Sequence, residues 1–226
     1  MSSTLETLSN RSSIRKFLSK PLSKETLQTI LSAAAMTPSG ANMQPWIVYA
    51  VSNEAKLKEV GDAVIAAMEQ GVPNDQFIQY YPLNWINPYK KRRIETGVGL
   101  YSLMGVDRKD TQTRTQMWHD NFRWFGAPSV VFVFTDKALI EGASGALIDC
   151  GAYMQSLMLA AESLGVASCP QGSTTEFGKV IAKVLEAPDN LALLYSVVLG
   201  YADPDAKINT YKPPRIPLEE HVTWVE

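Results

Sequence analysis

Apolar residues fall at Leu27, Ile30, Leu31 and Ala34 behind the polar run Ser23-Lys24-Glu25-Thr26. That three-and-four spacing predicts an amphipathic helix with Ser23 as its N-cap, ended before Pro38. Pro38 to Pro45 reads as a turn-rich loop, and Trp46 to Val51 as a buried strand. Glu54 to about Gln70 returns to a helical period. From Gly71 to about Trp124 no clean period holds; aromatic and basic residues predict helices, part of them a mobile cover. Val130 to Phe134 reads as a second buried strand, entered through Ala127-Pro128. Ala146 to Leu164 is apolar on nearly every side, which puts that helix at the centre or at a subunit interface, with Gly165 as its stop. Val166 to Cys169 is a short strand, Ser173-Thr174-Thr175-Glu176 has capping-box form and opens a further helix, and Leu193 to Leu199 is a long strand. After Tyr201 four prolines predict an extended arm, whose end at Val222, Trp224 and Val225 is apolar enough to be buried. The order α-β-α-α-β-α-β-α-β, without repeats or linkers, predicts one domain over residues 1–226, an α+β or three-layer fold with one sheet.

Composition narrows the class. The chain has 226 residues, 46% hydrophobic and 19% charged, with a formal charge of −2, the ordinary balance of a globular protein. There is no basic surplus of the kind nucleic acid needs. The longest uncharged apolar stretch, Cys150 to Ala161, is too short for the ~20 residues of a membrane span. Met1 to Asn10 lacks the apolar core of a signal peptide. Cys150 and Cys169 lack a C-x-x-C spacing, and a reduced, cytoplasmic protein is the simplest expectation.

Several chemistries lack their residues. No phosphate-loop G-x-x-x-x-G-K-[ST], dinucleotide G-x-G-x-x-G or G-x-S-x-G elbow is present. His119 and His221 are far apart, so no metal site is expected. Catalysis then requires borrowed chemistry, a cofactor, or widely spaced carboxylates.

Four clusters carry the polar groups a cofactor would need. Arg11-Ser12-Ser13-Ile14-Arg15 sets two arginines four apart with hydroxyls between, a pattern that can fork onto a phosphate, though it also suits a solvated charge run. Ser39, Asn42 and Gln44 crowd amide and hydroxyl groups into one loop, suited to a heterocycle's polar edge or to a plain helix-to-strand turn. Pro170-Gln171-Gly172 leaves a strand and enters a helix, where backbone N–H groups can face a ligand and glycine allows close approach. Asn209 to Glu220 presents Lys212 and Arg215 on a proline-stiffened arm.

In this order the clusters resemble the nitroreductase family of FMN-dependent enzymes over nearly the whole chain. The shared pattern runs from R-x-S-x-R-x-F through P-S-x-x-N-x-Q-P-W, G-A-P before a strand, the apolar helix and P-x-G, to N-x-x-x-x-x-R-x-P-x-E-E. Tyr101, Gly105, Val106, Arg108, Asp110, Arg114 and Asn121 look like the branch that reduces nitroaromatic acids. The resemblance implies a three-layer fold with a mixed, mainly antiparallel sheet, an arm reaching a partner subunit, and a homodimer with non-covalent FMN at its interface. It implies NAD(P)H as reductant, nitroaromatics or quinones as small-molecule acceptors, and ping-pong turnover. Arg11, Ser12, Ser13 and Arg15 would hold the phosphate, ribityl chain and pyrimidine edge, with Arg15 the cation tuning that edge. Ser39, Asn42 and Gln44 would reach the flavin of the partner. Pro170, Gln171 and Gly172 would lie along the ring, acting by backbone rather than by the Gln171 side chain, and Arg215 would join Arg11. Pro213 stands where some members carry lysine. Ene reduction, reductive dehalogenation and flavin binding without turnover fit the same residues.

Overall fold

The computed structural model describes residues 3–107 and 109–226. Its elements are α1 (Thr4–Asn10), α2 (Lys24–Ala34), β1 (Ile47–Val51), α3 (Glu54–Glu69), α4 (Tyr89–Leu103), α5 (Thr111–Phe122), β2 (Ser129–Asp136), α6 (Gly145–Ser163), β3 (Ala167–Gln171), α7 (Gly178–Val184) and β4 (Leu191–Gly200). The four strands form one sheet in the order β1-β2-β4-β3, with every ladder antiparallel. The parallel component is a single bridge between Ser13 and Ser168.

Side-chain alternation divides the sheet into two faces. Val130, Phe132 and Phe134 of β2 pack with Leu57, Val60 and Val64 of α3 and Ile181 of α7. Val131 and Val133 face the other way, onto Ile30 of α2 and Cys150, Tyr153 and Leu157 of α6. Val133 pairs with Tyr195 while Phe134 pairs with Leu193, so Leu194 is an extra residue in β4. This bulge lets Leu194 and Tyr195 share the α6 face. The result is helix, sheet, helix, the expected three layers.

Local signals explain most boundaries. The Ser23 hydroxyl accepts from Thr26 N–H at 3.1 Å and caps α2. Gly165 takes φ +70 just past α6, the left-handed turn that stops it. α6 buries Ala146, Cys150, Tyr153, Leu157 and Ala161 on one stripe and leaves Ile148 70% exposed on another, so its all-round apolarity is only half used in one chain.

Two expectations change. Ser173 to Phe177 is a 3-10 turn without a side-chain cap, because Thr174 and Thr175 are drawn into the core and bond the carbonyls of Gln171 and Gly172 instead. β3 extends through Gln171, placing Pro170 and Gln171 in the ladder opposite Val197 and Ser196 and leaving Gly172 to open the turn. The arm follows its own α4, with Tyr211 against Gly99 and Arg92 paired with Glu220. Its end stays uncovered, Trp224 at 77% and Val225 at 92% exposure. α1 is an element the hydrophobic pattern missed, although Ser3 and Glu6 close a full capping box around it.

Candidate active site

The first cluster is bound to the sheet's β3 edge. Ile14 N–H donates to Ser168 O at 3.0 Å, extending the edge by one bridge and fixing the backbone between Arg11 and Arg15. Ser12 and Ser13 are half-buried. Arg15 Nη1 donates to Ser13 O at 3.2 Å. Arg11 Nη1 is buried and has no hydrogen-bond partner, and among the described residues neither Arg11 nor Arg15 is in an ion pair. Ser168 Oγ is a second buried polar atom without a partner. Folding thus leaves a cation and a hydroxyl on the same strand edge without protein partners, a costly arrangement unless an anion answers it.

Asn209 holds this segment from the tail. Its Oδ1 accepts from Arg15 N–H at 2.8 Å and Lys16 N–H at 3.1 Å, and its Nδ2 donates to Lys16 O at 2.8 Å and Asp203 O at 3.0 Å. Every hydrogen-bonding position of the amide's donors and two of its acceptor's are thereby used. Sequence reading placed Asn209 in the tail motif without a role. Arg215 stays exposed, donating to Pro213 O at 3.0 Å, and among the described residues no ion pair or hydrogen bond links it to the Arg11 segment.

Cys169 lies beside the two arginines. Burial pushes its thiol up to about 11, against the opposing pull of Arg15 and then Arg11. It is therefore a neutral packing group at pH 7 and no nucleophile.

The β3 exit forms the next wall. The Gln171 side chain is buried, 4% exposed, with Nε2 donating to Asn121 O at 2.8 Å and Oε1 accepting from Ser196 Oγ at 3.2 Å. It ties β3 to the end of α5 and to β4, a structural task beside the backbone contribution expected of this residue. Gly172 carries the ring of Tyr80: a Cβ at 172 would stand 2.5 Å from it. Any other residue there would displace the segment above. Burial, then the neighbouring Tyr81, raises the Tyr80 phenol above its ordinary value, so it remains a donor at neutral pH.

The third cluster lies at the other edge, before β1. Gly40 N–H donates to Asp149 Oδ2 at 3.1 Å, fastening the loop to α6. Ala41, Asn42 and Gln44 take φ of 49, 57 and 48, left-handed positions interrupted at Met43, each costing free energy for a residue other than glycine. Ser39 Oγ accepts from Gln44 N–H at 2.9 Å, and Gln44 Nε2 donates to Asn42 Oδ1 at 3.1 Å. Asp149 escaped sequence reading, though a carboxylate near the start of an otherwise apolar helix was a signal. Three interstrand spacings, about 14 Å, separate the β1 and β3 edges. One chain therefore does not bring Ser39, Asn42 and Gln44 to Arg11 and Arg15. Arg108 lies outside the described residues. Among the described residues no group of acids, histidines and cysteines could hold a metal ion, and no helix is long and apolar enough to cross a membrane.

Residues 8–201 match the model of the Nitroreductase family. A chloronitrobenzene nitroreductase of Comamonas testosteroni is 34% identical, the match covering 96% of this chain and 94% of that protein. A 4-nitrobenzoate reductase of Pseudomonas putida is 30% identical over 92% of this chain and 89% of its own. The crystal structure of the FMN and NADPH-dependent nitroreductase NfnB from Sphigopyxis sp. strain HMH superposes with a TM-score of 0.93 at 31% identity, covering 100% of both chains.

Proposed function

The chain belongs to the nitroreductase family, and from that premise we propose that it holds FMN non-covalently and transfers hydride from NAD(P)H to nitroaromatic, quinone or similar electron-poor acceptors. FMN, when bound, supplies the two-electron chemistry that no side chain offers. The observation that carries the reading is the buried Arg11 Nη1 without a hydrogen-bond partner, in a segment bridged to the strand that carries the unpartnered Ser168 hydroxyl. A phosphate matches that cation by charge and geometry.

The residues then take distinct tasks. Arg11, Ser12 and Ser13 bind the phosphate and ribityl chain from a backbone pinned to β3. Arg15 faces the pyrimidine edge as a fixed positive charge, its main chain held by Asn209. The backbone of Pro170, Gln171 and Gly172 lines the ring, and the N–H groups of Gln171 and Gly172 are directed at it. Arg215 reaches the phosphate once its guanidinium leaves the proline carbonyls. Reductant and acceptor use one open face in turn, which gives ping-pong kinetics.

Ser39, Asn42 and Gln44 serve the partner's site in a homodimer. The support is positional: they stand at the opposite sheet edge from Arg11, and a two-fold axis brings one edge to the other. Exposed Ile148, Met43, Trp224 and Val225 are the apolar surface such an interface would cover. Two free cysteines suit a reducing, cytoplasmic setting.

Purified protein should be yellow, be bleached by NAD(P)H without air, and recover its colour with a nitroarene. Arg11→Ala should weaken FMN retention by about 1.5–3 kcal/mol, the worth of one charge-assisted contact. Yellow protein that NAD(P)H does not bleach would point to flavin binding without turnover.

A further inference from the structure

We propose that Asn209 is a positioning residue for the flavin's redox chemistry, one that fixes the main chain of Arg15 and so holds its guanidinium where it favours reduced FMN. The proposal rests on the FMN reading and adds to it a residue that acts through another. Arg15 stands between two anchors. Before it, Ile14 N–H donates to Ser168 O on β3 at 3.0 Å. After it, Lys16 O accepts from Asp203 N–H at 3.1 Å, and Phe17 is bridged to Ala202. The N–H of Arg15 itself goes to Asn209 Oδ1 at 2.8 Å, a side chain 194 positions away. The same oxygen takes Lys16 N–H at 3.1 Å, while Nδ2 donates to Lys16 O at 2.8 Å and Asp203 O at 3.0 Å. An aspartate would accept the two N–H groups but has no donor for the two carbonyls, and a glutamine would carry the right groups one methylene too far out. Alanine would leave the N–H groups of Arg15 and Lys16 without this acceptor.

The charge itself is loosely held. The Arg15 guanidinium donates to Ser13 O at 3.2 Å and is in no ion pair among the described residues. One such bond leaves a long side chain much of its rotamer freedom, so the place of its charge depends on the backbone it projects from. That place is beside the β3 exit. Burial raises the Cys169 thiol, and Arg15, then Arg11, pull against the rise, which sets the Arg15 charge near the residue preceding Pro170. A cation near the ring favours the more negative, reduced form, and the effect falls with distance. Loosening the Arg15 backbone therefore weakens the preference for reduced FMN even though the arginine is still present.

Potentiometric titration of the FMN-loaded protein tests this without an acceptor or turnover. Arg15→Gln should lower the two-electron potential. Asn209→Ala should lower it too, weakening reduced FMN about tenfold more than oxidised FMN, a fall of about 30 mV. Because Asn209 acts through Arg15, adding Asn209→Ala to Arg15→Gln should lower the potential no further. Asn209→Ser, whose hydroxyl can accept from one of the two N–H groups, should give a smaller fall and replaces the alanine variant if that one does not fold. A role in folding alone would lower the denaturant midpoint and leave the potential where it was. That result, or an equal fall with and without Arg15, would overturn the proposal while the FMN reading stands. FMN bound at an unchanged potential in Arg15→Gln would remove Arg15 from the flavin and this proposal with it. A parent that takes up no FMN would sink the FMN reading and the proposal together.

Discussion

Burial decides the chemistry of several single residues. The Cys150 thiol is pushed up to about 12, by burial and then by Asp149, and the Tyr153 phenol likewise to about 12, by burial and then by Cys150. Cys169 reaches about 11, and Tyr195, which donates to Cys150 O at 2.6 Å, is also raised. These groups are neutral in the fold and ionise more readily when unfolded. Their contribution to stability is complete below the ordinary thiol value of 9.0 and is lost as pH rises toward 11 and 12. The denaturant midpoint should therefore be flat through neutrality and fall above pH 9, and a thiol reagent at pH 8 should label neither cysteine until denaturant is added. Rapid labelling of the native protein would contradict the burial. Gln171 is the second case. Gln171→Ala strands Asn121 O and the Ser196 hydroxyl in the interior and should cost about 1–3 kcal/mol in denaturant unfolding. Loss of FMN affinity without loss of stability would mean that the side chain touches the ligand instead.

At the scale of elements, two glycines of α4 make opposite forecasts from the same residue type. A Cβ at Gly97 meets nothing within 4 Å, whereas one at Gly99 meets the Tyr211 hydroxyl at 2.7 Å and its ring at 2.8 Å. Gly97→Ala should stabilise the protein by up to about 1 kcal/mol, the ordinary helix preference for alanine. Gly99→Ala should forfeit that gain by pushing Tyr211 off α4, and limited proteolysis should then cut the tail faster. Unchanged proteolysis would show that the tail does not depend on this contact. The sequence pattern could not separate these glycines, since nothing local says that a residue over a hundred positions later lies on one of them. What it could read were elements with strong local signals: the Ser23 cap, the Gly165 stop, and the unbroken apolar run Val130 to Phe134 of a strand buried on both faces. It failed at Ser173 to Glu176, where a capping-box string is overruled by burial of Thr174 and Thr175. It also failed to divide residues 71–124 into α4 and α5, because neither helix has a strongly one-sided apolar face.

At the scale of the whole molecule, the candidate residues were legible one by one and the resemblance divided them between two chains, but the sheet edges they stand on were not legible, since strand order β1-β2-β4-β3 is a tertiary fact. That order gives the proposed dimer its sharpest test. In a two-fold dimer each FMN would meet Arg11 and Arg15 of one chain and Asn42 and Gln44 of the other. Consider a chain with Arg11→Ala and Arg15→Ala, and a second with Asn42→Ala and Gln44→Ala. Each homodimer holds two half-damaged sites. A heterodimer of the two holds one site with both defects and one with none. Unfolding the two together and refolding them pairs chains at random, so roughly half the dimers are mixed and about a quarter of all sites are intact. The mixture should recover about that fraction of the parent's tight FMN and NAD(P)H-driven bleaching, although neither variant alone does. In the proposed dimer the exposed Ile148, Trp224 and Val225 would supply the association that random pairing requires, and Ile148→Lys in both chains should then abolish the recovery by preventing dimers. If one chain held all of these residues around its own flavin, every site would keep its defect whichever partner it met, and mixing would restore nothing. Recovery therefore reads the sharing of the site directly, and its absence in a preparation shown by sedimentation to be dimeric, with each variant impaired alone, would overturn the shared site.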